Sequence, residues 1–216
     1  MNFTDVTLEL LNGFGITCLL FIVTWILSIP LGAVFCSVSL IKNKYVNMIM
    51  HGFIWIIRGT PLMLQIIVVF YVPGLLFNLP AFDRMVAVII AIVINYGVYF
   101  SEIFRAGYES IDKGQSEACK MLGMNRRQSF FRIILLQVVK KTIPPLSNET
   151  ISLVKDTALA RVIAINEVIM AAQKIVSTYA IIWVLFYTAV FYLVLNGLLS
   201  FLLHKLEDKL KYFEAK

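Results

Sequence analysis

EACKMLGMNRRQSFFRIILLQ, residues 117–137, is a basic stretch between long apolar runs in a chain of 216 residues. Its four cationic side chains make it too costly to place inside a bilayer. It is also too short to be a domain of its own. The apolar segments on either side therefore decide the fold, and the stretch itself is predicted to lie outside the membrane, where a partner or a lipid surface meets it.

The composition of the whole chain is typical of a membrane protein. Hydrophobic residues make up 60% of it and charged residues 15%, whereas an average soluble domain is about half apolar and about a quarter charged. The net charge of +6 is interpreted as membrane topology, because basic residues concentrate in cytoplasmic loops. We therefore predict contact with membrane lipid and no nucleic-acid partner.

Five segments are long and apolar enough to be predicted as membrane spans of about 20 residues or more. They cover residues 14–41, 45–77, 85–104, 143–170 and 180–203, with a loop at 105–141. No basic residue precedes Lys42, so the first span lacks the basic start of a signal peptide and is expected to be retained. The prediction is an all-α, polytopic membrane protein that forms one transmembrane domain over residues 1–216.

The basic residues alternate between the two sides that this segmentation defines. Fourteen of the 19 fall on one side, in the first connection, in the 105–141 loop and after the last span. Because an excess of Lys and Arg marks the cytoplasmic side, the N-terminus is predicted outside the cell. The 105–141 loop and the C-terminus are predicted in the cytoplasm.

Within that loop, Ser116–Leu122 is predicted as a short helix with Glu117 in its first turn and Gly123 as its stop. Its surface is small and mixed, and it consists of Ala118, Cys119, Met121 and Leu122. Such a surface fits a groove on a partner protein. From spacing alone, the alternative is an amphipathic helix that lies on anionic lipid, which the nearby Arg126 and Arg127 also favour.

Three stretches resemble, in the right order, the signatures of ABC importer permease subunits of the polar amino acid family (histidine/arginine/glutamine type). They are RGTPLMLQ at 58–65, YFSEIFRAGYESIDKGQSEA at 99–118 and PPLSNETISLVKDTALARVI at 144–163. The EAA loop of that family is similar to Glu117, Ala118, Leu122 and Gly123, followed by Phe130, Ile133, Ile134 and Leu135. The chain differs at Cys119, Leu136 and Ala158, where the family usually has Ala, usually Pro and often Ser.

The resemblance implies the type I ABC importer permease fold, with five membrane helices in a bacterial-type cytoplasmic membrane. It implies uptake of a polar amino acid by alternating access, with no catalytic residue, metal or cofactor on this chain. ATP would be bound by separate ABC ATPase subunits, which agrees with the lack of a GxxxxGK[ST] phosphate loop here. The permease would pair with a second copy or a paralogue and receive substrate from an extracytoplasmic solute-binding protein.

Two sets of residues are assigned. The resemblance implies the coupling set and, within the pathway set, supports Asn95 and Glu149, whereas Thr60, Gln65 and Ser152 are assigned from their positions in the spans. The helix that couples to the ATPases is predicted to use Glu117, Ala118, Cys119, Leu122 and Gly123. The substrate pathway is predicted to use Thr60, Gln65, Asn95, Glu149 and Ser152. Glu149 is the candidate for the cationic end of an amino acid. The alternative for these polar groups is hydrogen bonds or ion pairs that only fix helix packing.

Periodicity supports the polar face independently of the resemblance. Ionisable groups within spans usually face a bundle interior. If residues 145–160 are helical, Glu149, Ser152 and Asp156 share one face. On the third span, Asn95, Tyr99 and Glu102 likewise share a face, and Glu102 can pair with Arg105 one turn on as a structural contact.

Prolines predict two irregular places. Residues 45–77 exceed the length of one span, so a break is expected near Gly59 and Pro61, with Lys44 and Arg58 reaching for phosphate or water. Pro144 and Pro145 are expected at an irregular entry to the fourth span.

Two other classes of protein fit the sequence less well. An ion-coupled secondary transporter would use Glu149, Lys155 and Asp156 as ion sites, but such folds usually contain inverted repeats, and this sequence shows none. A membrane enzyme is disfavoured because His51 and His204 lie far apart in sequence and the three cysteines are scattered.

Overall fold

The computed structural model describes residues 2–77, 80 and 82–211. The regular structure of these residues is entirely helical, which confirms the predicted all-α class. The α-helices of this part of the chain are α1 Phe3–Ser39, α2 Lys44–Gly59, α3 Leu62–Phe77, α4 Arg84–Glu109, α5 Lys113–Met121, α6 Arg126–Ser129, α7 Leu135–Asp156, α8 Val168–Tyr179 and α9 Trp183–Lys211. A π-helical turn covers Phe130–Ile134, and a 3-10 helix covers Thr157–Ile163.

The first and last apolar segments form longer helices than the predicted spans. The helix that contains most of residues 14–41 begins at Phe3 and continues through Pro30 without interruption. Its 37 residues extend about 55 Å at 1.5 Å per residue. The last helix begins at Trp183 rather than at residue 180 and continues to Lys211.

The second segment, residues 45–77, is divided at the predicted place. Helices α2 and α3 end and begin on either side of Thr60 and Pro61, and they are bent by 106° relative to each other. Thr60 has an extended backbone, with φ −117° and ψ 145°. A residue that precedes proline is driven out of the helical region by contact with the proline ring, so Pro61 accounts for the break.

The fourth segment, residues 143–170, is not one helix. Helix α7 begins at Leu135, eight residues before the predicted start of this segment, and Leu136 is its second residue. Pro144 and Pro145 therefore lie inside α7 rather than at an irregular entry. At the other end, α7 gives way to the 3-10 helix, whose C-cap Ala164 is left-handed, with φ 60°.

The predicted loop at 105–141 is shorter than expected. Residues 105–109 belong to α4 and residues 135–141 to α7. The segment between these two long helices is therefore residues 110–134, which contain α5, α6 and the π-helical turn. We call it the coupling segment.

Within the described residues, three helices are long and apolar enough to cross a membrane, namely α1, α4 and α9. The bent pair of α2 and α3 passes the same test as one broken span. Helix α7 is not among them, and it carries Lys140, Lys141, Glu149, Lys155 and Asp156.

The main apolar core joins α1, α3, α4 and α7 and fixes which way α7 faces. Leu20 of α1, Ile92 and Phe100 of α4, and Leu153 and Val154 of α7 are fully buried in it. Because Leu153 and Val154 are held in the core, the polar face of α7 turns towards α4 and the break between α2 and α3.

Candidate functional site

A pocket of about 360 Å³ lies between the α2–α3 break, α4 and α7. Its walls consist of Thr60, Pro61, Leu62, Asn95, Tyr96, Tyr99, Glu149, Ser152, Asp156 and Leu159. We call it the Glu149 pocket. Four of the five predicted pathway residues, Thr60, Asn95, Glu149 and Ser152, line it. Thr60 lies at the break between α2 and α3, Asn95 lies on α4, and Glu149 and Ser152 lie on α7. The packing of these helices therefore brings residues that are distant in sequence into one pocket.

Gln65, the fifth predicted pathway residue, does not line the pocket but braces it. Its side-chain oxygen accepts a hydrogen bond from Asn95 Nδ2 at 3.0 Å. Its side-chain nitrogen lies 2.9 Å from Thr60 Oγ1 and 2.8 Å from the carbonyl oxygen of Ile57. One half-buried amide therefore fixes two lining residues and the end of α2.

The two carboxylates of the pocket differ in their partners. Asp156 accepts a hydrogen bond from the hydroxyl of Tyr96 at 2.8 Å. Glu149 accepts no hydrogen bond and forms no ion pair with any other described residue. Burying a carboxylate costs free energy unless a cation or a hydrogen-bond donor meets it. Glu149 is therefore the carboxylate of the pocket that is free to bind a cationic group.

Tyr96 was missed from the sequence because it reads as one more apolar aromatic residue. It is almost completely buried, yet its hydroxyl points at Asp156. The available signal was that a buried tyrosine hydroxyl usually finds a partner. Asp156 had been placed on the polar face, although not among the pathway residues.

Arg58 makes two contacts that the sequence did not predict. Its side chain is 47% exposed, its Nη1 lies 3.3 Å from Glu102 Oε2, and its guanidinium carbon lies 5.5 Å from the centroid of the Tyr99 ring. The pairing of Glu102 with Arg105 is present as expected, at 3.0 Å. Opposite charges on neighbouring apolar helices tend to pair. An arginine and a glutamate in two predicted spans therefore could have indicated the contact between Arg58 and Glu102.

Helix α5 of the coupling segment begins three residues before the predicted Ser116. Asp112 accepts a hydrogen bond from the backbone N–H of Gly114 and caps the helix. Glu117 therefore lies in the middle of α5 rather than in its first turn. Gly123 follows the helix with φ 71°, the left-handed conformation expected of a helix stop.

The residues predicted to couple face in two directions. Met121 and Leu122 have 89% and 79% of their surface exposed, and Glu117, Ala118 and Gly123 are also exposed. Cys119 is only 4% exposed, so its side chain is not part of the outer surface. Its carbonyl oxygen accepts a hydrogen bond from the N–H of Met124 at 3.0 Å, which closes the turn at Gly123.

Residues 28–212 match the family described as "Binding-protein-dependent transport system inner membrane component". The chain belongs to this family. It is 36% identical to the L-cystine transport system permease protein TcyB of Bacillus subtilis (strain 168), over 95% of this chain and 88% of that protein. It is 36% identical to the glutamine transport system permease protein GlnP of Escherichia coli (strain K12), over 74% and 73%. It is 35% identical to the arginine transport system permease protein ArtQ of Bacillus subtilis (strain 168), over 94% and 92%.

Solved structures agree with the family. A chain of the crystal structure described as an amino acid ABC transporter with histidines superposes with a TM-score of 0.87, at 26% identity, over 95% of this chain and 96% of that chain. A chain of the MetNI methionine ABC transporter, in inward-facing conformation, has a TM-score of 0.76 at 15% identity, over 97% and 99%, and shows the fold alone.

Membership of the family decides the class of protein. The chain is a permease subunit of the inner membrane, so it is a transport component and not an enzyme. The resemblance to ABC importer permeases that the motifs indicated is confirmed.

Proposed function

We propose that this chain is the membrane-spanning subunit of an ATP-driven importer for a polar amino acid. The observation that carries the proposal is the Glu149 pocket of this helical membrane protein, in which the carboxylate of Asp156 is bound by Tyr96 and that of Glu149 has no hydrogen-bond or ion-pair partner among the described residues. Its relatives are named for the transport of cystine, glutamine and arginine, all of which carry a charged ammonium group.

The chemistry of the lining residues fits such a substrate. Glu149 receives the substrate's cationic group, since a charge-assisted hydrogen bond is about twice as strong as a neutral one. The amide nitrogen of Asn95 is engaged with Gln65, so its amide oxygen is left to accept from the substrate. Ser152 offers its hydroxyl group to the carboxylate end. The hydroxyl of Thr60 already donates to the carbonyl oxygen of Ile56 at 2.9 Å, so Thr60 shapes the wall of the pocket.

The proposed topology retains five crossings. Helices α1, α4 and α9 and the bent pair of α2 and α3 cross the bilayer, and α7 makes the remaining crossing. The two acidic residues of α7, Glu149 and Asp156, are tolerated there because they face the pocket instead of lipid. The N-terminus lies outside the cell, and the coupling segment and C-terminus lie in the cytoplasm, where the basic residues concentrate.

Coupling to ATP occurs through the coupling segment. Separate ABC ATPase subunits bind ATP, so this chain carries no cofactor of its own, and they dock on the exposed α5 tip formed by Met121 and Leu122. Two permeases, either identical or paralogous, pair around the pathway, and an extracytoplasmic solute-binding protein delivers the amino acid. ATP, receptor and substrate drive alternating access because each has a different affinity for the two states.

An ion-coupled secondary transporter is less well supported. That mechanism would place Lys155 with Glu149 and Asp156 as buried ion sites. Lys155 is instead exposed and is not among the residues that line the pocket.

The test is purification of the tagged chain in mild detergent, followed by mass spectrometry of the proteins that accompany it. We expect an ABC ATPase in stoichiometric amount, with or without a second permease, and the partner list distinguishes a homodimer from a heterodimer. Absence of an ATPase, under conditions that keep other membrane complexes intact, would overturn the proposal.

A further inference from the structure

Tyr99 lines the Glu149 pocket and also two neighbouring cavities. The α2–α4 cavity, of about 570 Å³, is lined by Tyr99 together with His51, Arg58 and Glu102. The α4–α7 cavity, of about 510 Å³, contains Tyr99 and Glu149 and extends to Ser110 and Lys141. The ring of Tyr99 therefore lies at the boundary shared by the pocket and the space that continues towards the coupling segment, and Glu149 also lies at the boundary of the pocket and the α4–α7 cavity.

The order of residues along α4 gives this space a direction. Asn95 lines the pocket, Tyr99 follows one turn later, and Glu102 follows after almost another turn. Ser110, the C-cap of α4, opens the coupling segment and lies about 16 Å beyond Tyr99 along the helix axis. Lys141 Nζ donates to the carbonyl oxygen of Ser110 at 2.8 Å, so the α4–α7 cavity ends where the coupling segment begins.

Arg58 clamps the Tyr99 ring from the neighbouring helix. Its guanidinium lies over the ring, 5.5 Å from the centroid, which is within the range of a cation–π contact. Its Nη1 is held by Glu102 at 3.3 Å. Glu102 is held in turn by Arg105, and Arg105 by Glu109 at 2.8 Å. The clamp therefore joins α2 to α4 and is braced along α4.

We propose that Tyr99, clamped by Arg58, is the gate between the Glu149 pocket and the cytoplasmic exit. Release of substrate then requires the Arg58–Glu102 contact to part so that the ring can swing away. This inference rests on the proposed function, because it takes the pocket as the substrate site and the coupling segment as cytoplasmic.

The position of Arg58 allows the pocket to control the gate. Arg58 lies two residues before Thr60, which lines the pocket at the break between α2 and α3. A movement of this break on binding or release shifts both residues together. The Arg58 side chain is 47% exposed, and a partly solvated ion pair contributes little net stability, so the clamp can open and close at small cost.

The test uses the permease–ATPase complex in proteoliposomes that contain labelled arginine, histidine, glutamine or cystine. Efflux without ATP measures the gate, and ATP-driven uptake measures the proposed function. We expect Tyr99→Ala to raise ATP-independent efflux of the transported amino acid about tenfold, and Glu102→Gln to raise it less, because the ring remains. The matched control is Tyr108→Ala, which removes the same ring from an exposed position of the same helix that lines none of the three cavities; its efflux should equal that of the wild type.

The two proposals fail in different ways. Wild-type efflux from an assembled Tyr99→Ala complex would overturn the gate, whether or not ATP drives uptake. Absence of ATP-driven uptake in the wild type would overturn the proposed function, whereas increased efflux in the variant would still support the gate. If Tyr99→Ala does not assemble, Arg58→Gln gives the same test with the ring intact, and efflux equal to that of the wild type would overturn the gate.

Discussion

Asn95 donates a hydrogen bond to Gln65 across 3.0 Å, and this bond ties α4 to the start of α3. Gln65 also bonds to Thr60 and to the carbonyl oxygen of Ile57. One side chain thus holds the break between α2 and α3 against the wall of the Glu149 pocket.

Replacing that side chain should loosen both the break and the pocket. Gln65→Leu leaves the Asn95 amide and the carbonyl of Ile57 without their partner, and an unsatisfied buried polar group costs about 1–3 kcal/mol. We expect a lower unfolding temperature of the detergent-purified protein and weaker binding of the transported amino acid. Gln173→Leu is the control, since Gln173 is exposed on α8. Equal losses in both variants would contradict the bracing role.

A glycine sets the close approach of α1 to α4. A Cβ at Gly32 would lie 2.8 Å from Phe100 Cβ and 3.0 Å from the carbonyl oxygen of Gly97. Gly32→Ala should therefore destabilise the protein by about 1–3 kcal/mol, as overpacking does. Gly15→Ala in the same helix meets no atom within 4 Å and should be neutral or slightly stabilising. Thermal unfolding of the two variants in the same detergent checks this difference, and a Gly32→Ala protein as stable as Gly15→Ala would refute it.

The turn after α5 should matter for coupling rather than for folding. Gly123 has φ 71°, a conformation that a β-branched residue resists. Gly123→Val should reorient the exposed Leu122, so we expect loss of the ATPase from the purified complex or ATP hydrolysis without transport. Gly197→Val, at an open position of α9, is the control and should retain both. Full ATP-driven transport by the Gly123→Val complex would contradict the docking role.

Contacts along one helix could be predicted from sequence, and contacts between helices could not. The spacing of Glu149, Ser152 and Asp156 places them on one face, and all three line the pocket. The partners of Arg58 and Tyr96 lie 44 and 60 residues away, so only the packed helices determine them. This is why the two contacts of Arg58 were not predicted and why Tyr96 was missed.

Helix ends were harder to predict than helix faces. The fourth segment was predicted as one span because residues 143–170 are largely apolar. The chain turns at Ala164, which has a left-handed backbone. A glycine would have indicated such a turn in the sequence, whereas an alanine does not. Helix α5 begins early because Asp112 caps it. Cys119 was predicted on the docking surface, but it is buried. The sequence pattern shows which residues share a helix face, and it does not show which face the neighbouring segments cover.

The most direct test of the central claim is the rate of ATP-driven amino acid uptake by proteoliposomes with wild-type or Glu149→Gln permease. Labelled arginine, histidine, glutamine and cystine serve as probes, and Lys155→Gln, an exposed position of the same helix, is the control. Loss of the charge should lower the rate at limiting substrate about ten- to hundredfold, the factor for one hydrogen bond to a charged group. Lys155→Gln should transport normally. Unchanged uptake and affinity in an assembled Glu149→Gln complex would contradict the assignment of this pocket as the substrate site.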